Sequence, residues 1–226
     1  MNMHSKKYLI LMGIVIFIVL FVFVSINSPL TYKVFAEIVD RPIFKHNSKG
    51  ISLVSAYTSE PEYLEQVLIK AYENNIHITI FVPSKWAANN QKLIAEMIEI
   101  GHEISILGPD LENFDYSLDI KELILEFEKY SGKKTALFMP FYGEYDSRLC
   151  AKLKQLNISL ILWSKDSRAF AGIENEFATK LISLTKNGDI IYIAINDSFY
   201  NSIEAISAEL TKSDRKTITV GNALKH

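Results

Sequence analysis

Ile76-His77-Ile78-Thr79-Ile80-Phe81-Val82, a helical stretch from Lys85 to Ile100, and Gly101-His102-Glu103-Ile104-Ser105-Ile106-Leu107 together decide the fold. The first part is dense in β-branched and aromatic residues, which suit a pleated surface buried on both faces. The middle repeats apolar residues at helical spacing, and Gly101 stands where helices commonly stop in a left-handed turn. His102 to Leu107 returns to strand character. Strand, helix and strand in close succession predict a βαβ unit with parallel strands.

The same alternation extends in both directions. Toward the N-terminus, Ile51 to Ala56 reads as a strand and Pro61 to Asn75 as a helix. Pro61 sits in the helix's first turn, and Leu64, Val67, Leu68 and Ala71 form its apolar stripe. Toward the C-terminus, Leu118 to Tyr130 reads as a helix followed by Gly132. Ala136 to Met139, Ile158 to Trp163 and Ile190 to Ile195 read as strands. Ser147–Leu156, Glu174–Lys186 and Ser202–Leu210 read as helices, and Thr217 to Val220 as a closing strand. Repeated β-α units predict an α/β domain: a distorted or incomplete (β/α) barrel of about seven to eight parallel strands. No Gly-rich G-x-G-x-x-G turn follows the first strand, which weakens a dinucleotide-binding reading. In barrels of this kind functional groups sit at the strand C-termini, here near Ala56, Val82, Leu107, Met139, Trp163 and Asn196.

Tyr8 to Ile26 carries no charge and follows Lys6 and Lys7. As a helix it would reach about 28 Å, close to the apolar thickness of a bilayer. Basic residues before the span keep the N-terminus inside. The expected organisation is a cytoplasmic N-terminus (1–7), a transmembrane signal-anchor (8–26), a connector (27–48) and an extracytoplasmic domain (49–226). A cleaved signal peptide is the alternative. Its apolar core is usually shorter, and the candidate cleavage site Val34-Phe35-Ala36 lies well beyond the apolar run.

Of the 226 residues, 49% are hydrophobic and 22% charged, which allows a folded core rather than a disordered chain. Net charge is −2, with no dense Lys/Arg cluster, so nucleic acid is excluded as a partner. The lone cysteine, Cys150, excludes an intrachain disulfide and reads as a small buried hydrophobe in a helix.

Five segments, in order, carry a resemblance: Ile78-Thr79-Ile80-Phe81-Val82 with Trp86-Ala87, Gly101-His102-Glu103-Ile104, Met139-Pro140-Phe141-Tyr142-Gly143, Leu162-Trp163-Ser164-Lys165-Asp166, and Gly188-Asp189-Ile190-Ile191. They resemble the A-T-F-F-V…W-A, G-H-E-I, R-P-P-Y-G, L-W-S-x-D and G-D-I-I segments of the NodB-homology polysaccharide deacetylases, carbohydrate esterase family four. The resemblance runs from about Lys49 to Leu224. It implies metal-assisted hydrolysis of an acetamide, with zinc held by one Asp and two His, a neighbouring Asp as base and a further His as acid.

At the positions this resemblance assigns, the required groups are missing. Ala56 stands for the base and Tyr57 for the metal-binding Asp. Leu107 and Leu111 stand for the two His ligands, and Met139 for the Arg of R-P-P-Y-G. Ala169-Phe170 replaces the D-W of the fourth motif, and Ala194 or Asn196 the last His. The resemblance therefore implies a degenerate member with no catalytic residues, no metal and no cofactor. His4, His46, His77, His102 and His226 show no ligand spacing, and His102 of G-H-E-I reads as structural.

Candidate cleft residues are Tyr57, Asp110, Tyr142, Trp163, Asp166 and Arg168, with Tyr145 and Phe170 completing an aromatic group able to stack on sugars. The bland alternative is a cleft filled by its own side chains, with Leu107, Leu111 and Met139 beneath the rings. Asp110, Asp166 and Asp197 could in principle form a glycosidase pair or an oxygen cage for Ca²⁺. Loop Asp residues more often form caps and turns, and Asp166 can pair with Arg168. The expected function is a membrane-anchored pseudoenzyme binding cell-wall glycan or an envelope protein. An active hydrolase with a relocated site and a structural envelope component are the alternatives.

Overall fold

The computed structural model describes residues 41–109, 116–170 and 176–225, together with Met12 and Val15. Arg41–His226 forms one compact unit. The expected membrane span, 8–26, lies outside the described residues apart from Met12 and Val15. Among the described residues no helix is long and apolar enough to cross a membrane.

Seven strands form one sheet: β1 (Ser52–Ala56), β2 (Ile78–Val82), β3 (Glu103–Leu107), β4 (Leu137–Met139), β5 (Ser159–Leu160), β6 (Lys165–Asp166) and β7 (Ile190–Tyr192). Their order is β5-β4-β3-β2-β1-β7-β6, and every pairing is parallel. Helices connect them: α1 (Pro61–Glu73), α2 (Ser84–Asn89), α3 (Gln91–Glu99), α4 (Tyr116–Ser131), α5 (Ser147–Gln155), α6 (Phe177–Ser183), α7 (Asp197–Lys212) and α8 (Val220–Ala223).

Chain connectivity forces the sheet to curl. Strands β5 and β6 are its two edges, yet only residues 161–164 join them. In a flat sheet of seven strands the edges would lie about 29 Å apart. The extended chain from Leu160 to Lys165 reaches at most about 18 Å. The sheet is thus a curled half-barrel, and side-chain alternation sorts its residues into two layers. Leu53, Ile78, Ile80, Val82, Ile106, Phe138, Ile191 and Ile193 pack outward under the helices. Val54, Phe81, Leu107, Leu137, Met139, Ile161 and Ile190 pack inward and fill the lumen. Phe81 is fully buried there, a contribution of about 2–3 kcal/mol from apolar burial alone.

Residues 43–46 lie along the seam between the sheet edges. Ile43 N donates to the Leu160 carbonyl at 2.8 Å and Leu162 N to the Ile43 carbonyl at 3.0 Å. His46 N donates to the Gly188 carbonyl at 2.8 Å. Lys45 Nζ pairs at 2.8 Å with Asp189, which is 1% exposed. Ser164 Oγ and Lys186 N also donate to Asp189. Burial opposes ionisation of Asp189, but Lys45 and these donors outweigh it and hold the carboxyl below its ordinary range. The compact unit accordingly begins at Arg41 and takes in the end of the expected connector.

Other expectations shift for local reasons. The helix expected over 85–100 is two helices, broken at Asn90, whose side chain donates to the Trp86 carbonyl at 2.8 Å and competes with the helix backbone. Helix α7 starts at Asp197 rather than Ser202, because Asn196 Oδ1 accepts from Phe199 N at 3.0 Å and caps it. Thr217 to Val220 is not a strand. Thr217 bridges only Ile51, since β7 takes one side of β1 from Ser52 and β2 the other from Leu53.

Candidate functional site

Three of the positions that the resemblance assigns to chemistry end strands: Ala56 on β1, Leu107 on β3 and Met139 on β4. Leu107 and Met139 are each 1% exposed and belong to the inward layer. Ala56, Phe141, Trp163 and Tyr192 pack on that layer. The space beneath the strand C-termini is therefore occupied by hydrocarbon and aromatic rings, in which an unpaired charge would be costly.

Tyr57 is not part of this cleft, a correction to the sequence expectation. Its backbone continues the strand, donating from N to the Phe81 carbonyl at 2.9 Å, so alternation turns its side chain to the helix side. There it is 5% exposed and packs in the outer layer. Its ring meets Trp86 edge-on at 6.2 Å, and its hydroxyl donates to the Glu60 carbonyl at 2.7 Å. Burial, then the charges of Glu60 and Glu62, push the phenol upward in pKa.

The rim of the cleft is built around Trp163 and Tyr192, whose ring centroids lie 4.7 Å apart at 44°. The Arg168 guanidinium lies 4.5 Å from the Tyr192 centroid and 6.0 Å from that of Trp163. Arg168 Nε donates to both Asp166 carboxylate oxygens, at 2.9 and 3.1 Å, and its backbone N to Oδ1 at 2.9 Å. Burial disfavours the Asp166 carboxylate, but Arg168 outweighs it and holds the group below its usual range. Asp166 and Arg168 thus satisfy each other, and the cation covers the rings.

Tyr142 is 75% exposed and adopts φ 56°, with Phe141 edge-on at 4.3 Å. Gly143 (φ 76°) follows, and a Cβ there would lie 2.9 Å from the Trp163 ring. The turn rests on Trp163, so Tyr142 and Trp163 share one surface. Tyr145 is exposed as well. Sequence reading missed Tyr192. The signal was available in alternation, because Tyr192 shares the inward face of β7 with Ile190.

Asn196 spends its side chain on capping α7, and Asp197 accepts from the Tyr63 hydroxyl at 2.8 Å. Burial first, then that bond, push the Tyr63 phenol up to about 12. Ala169 lies in the short 3-10 turn Ser167–Phe170. Asp110 and Leu111 lie outside the described residues, as does the Phe170 side chain.

A zinc ion does not fit the positions the family uses. Leucine at 107 and 111 offers no donor atom, and the Tyr57 hydroxyl is turned away and engaged with Glu60. Among the described residues no three His, Cys, Asp or Glu side chains are grouped to hold a metal ion.

His102 is 3% exposed. Its Nδ1 accepts from Ile78 N at 3.1 Å, and its Nε2 donates to the Leu68 carbonyl at 2.9 Å, which defines a neutral ring. Burial lowers its pKa from 6.5 to about 4. The unfolded chain therefore takes up a proton that the folded chain refuses, and stability falls as pH drops through that window. The full difference is roughly 3 kcal/mol. Urea unfolding at both ends of the window should show a smaller stability loss for His102→Gln than for the unaltered chain. Equal losses would remove His102 as the cause.

The polysaccharide deacetylase family model matches residues 56–161. A peptidoglycan-N-acetylglucosamine deacetylase of Bacillus cereus is 25% identical over 199 residues, covering 80% of this chain and 91% of that protein. Among solved structures, a carbohydrate esterase family 4 pseudoenzyme from Bacillus anthracis superposes with TM-score 0.71 at 15% identity, over 82% of this chain and 69% of the other. A mutant of the same pseudoenzyme with restored enzymatic activity superposes with the same TM-score of 0.71, at 15% identity over 82% of this chain and 71% of that one. A family 4 esterase from Streptomyces lividans with bound acetate gives 0.67 at 17% identity, over 76% and 93%.

Proposed function

We propose, from the premise that this chain belongs to the NodB-homology polysaccharide deacetylases of carbohydrate esterase family 4, that it is a non-catalytic member which binds cell-envelope glycan. The observation that carries this reading is the filled lumen: Leu107 and Met139 are buried at the strand C-termini, with Trp163 and Tyr192 packed over them. Without ligands, base or acid, a deacetylase fold has no means to activate water.

The rim supports a glycan ligand. Tyr142 and Tyr145 are exposed and Trp163 is partly covered, and flat rings of this kind stack on the apolar faces of sugars. The name of the similar Bacillus cereus protein points to N-acetylglucosamine polymers as the sugar class. The uncharged run 8–26 behind Lys6 and Lys7 supports a membrane anchor with the domain outside. Similarity to a peptidoglycan deacetylase favours a second reading, an N-deacetylase with a rebuilt site.

One experiment separates the two. The full chain is titrated with N-acetylglucosamine oligomers while tryptophan fluorescence and acetate release are followed. We expect saturable binding, no acetate, and affinity about tenfold weaker in Tyr142→Ala. Chelator-sensitive acetate release would establish the second reading. Absence of binding to every oligomer would remove the glycan assignment.

A further inference from the structure

At the end of the barrel opposite the aromatic rim, a cleft of about 330 Å³ opens between the first residues of β3, the loop entering β4, and α8. Its lining includes Lys133, Lys134 and Lys225, with Ser105, Thr135 and Asn222 between them. The volume stands at the low end of the range for small-molecule sites. It is larger than an inorganic anion needs.

The charge in the cleft is unbalanced. Among the described residues neither Lys133 nor Lys134 makes an ion pair. Both follow Gly132 at the end of α4 and are exposed. Lys225 Nζ donates to the Asn222 side-chain oxygen at 3.3 Å. The single carboxylate in the lining is Glu103. Its Oε2 is already used, accepting from Thr79 Oγ1 and Gly221 N, each at 2.9 Å. Burial raises the Glu103 pKa and so weakens its opposition to a second anion. Its Oε1 lies against Gly221, where even a Cβ would find no room.

We propose that this cleft is a second binding site, for a phosphate ester of a polyol, with Lys133, Lys134 and Lys225 around the phosphate and the polyol hydroxyls set among Ser105, Thr135 and Asn222. Cations grouped around a concave surface raise the local concentration of anions, and an effect of this kind weakens with salt. The polyol accounts for the volume that a bare phosphate would leave empty. The site is independent of the glycan reading, because it lies at the other end of the strands and shares no residue with the rim.

The test is calorimetric titration of the full chain with glycerol phosphate at low and at physiological salt, beside inorganic phosphate and glycerol as controls. We expect glycerol phosphate to bind in the millimolar range or tighter, more tightly than either control, and to weaken as salt is added. Lys133→Ala with Lys134→Ala should cost about tenfold in affinity, equivalent to about 1.4 kcal/mol. Both side chains are exposed, so the helical circular dichroism and the unfolding midpoint should not move. No binding of glycerol phosphate, equal affinity for inorganic phosphate, or affinity unchanged by the double substitution would each overturn the proposal.

Discussion

A chain carrying Tyr57→Asp, Leu107→His and Leu111→His, the three ligand residues of the family restored together, should melt about 10 °C lower or more and release no acetate from acetylated sugars. Leu107 is 1% exposed in the lumen. Replacing it removes about 1.5–3 kcal/mol of apolar burial and places an imidazole among hydrocarbon at a further cost of about 1–3 kcal/mol. At position 57 the change breaks the hydroxyl bond to the Glu60 carbonyl and puts a carboxylate where the charges of Glu60 and Glu62 already act. Such losses together are of the order of 5 kcal/mol against a typical total of about 5–15 kcal/mol. For a domain of this size each kcal/mol shifts the melting point by about 2–4 °C.

The decisive point is direction rather than stability. A carboxylate introduced at position 57 would point into the helix-side layer, on the far side of the sheet from an imidazole introduced at position 107. The three ligands would not converge, and neither base nor acid would stand beside them. Chelator-sensitive deacetylation by the triple variant here would mean that β1 turns over at Tyr57 and the lumen empties, contrary to the packing described.

Gly188→Ala should destabilise the domain by about 3–5 kcal/mol, a drop of about 10 °C or more in melting temperature. Gly188 has φ 86°, and a Cβ on it would lie 2.2 Å from the His46 carbonyl oxygen. That atom is backbone and has no rotamer to escape into. Moving it pulls His46 from its bond to Gly188 and loosens the Lys45–Asp189 pair on the same seam. Gly132→Ala is the control, because Gly132 also has positive φ, 69°, but nothing within 4 Å of its Cβ position. It should cost about 1 kcal/mol, from the backbone conformation alone. Equal effects of the two substitutions in thermal melts would show that the seam contributes nothing.

Much of the fold is legible in the residues. β-branched density at Ile76–Val82, the apolar stripe of Leu64, Val67, Leu68 and Ala71, and Gly101 after a helix are local signals, and each marks a real element. The pairing of Asp166 with Arg168 is also local, since the two are separated by a single residue. Asn90 and Asn196 escaped because a side chain competing with, or capping, a helix leaves no mark on apolar periodicity.

Residue type and spacing along the chain are enough for the alternation of parallel strands and helices and for the resemblance to the polysaccharide deacetylases, because both are local signals. That Tyr57 faces the helices, that Tyr192 stacks with Trp163 under Arg168, and that residues 43–46 lie along the seam beside Gly188 and Asp189 emerges only once the chain is folded. Each of these depends on which strands become neighbours and which face each side chain takes once the sheet curls. That is set by packing between residues far apart in the chain, and no local pattern encodes it.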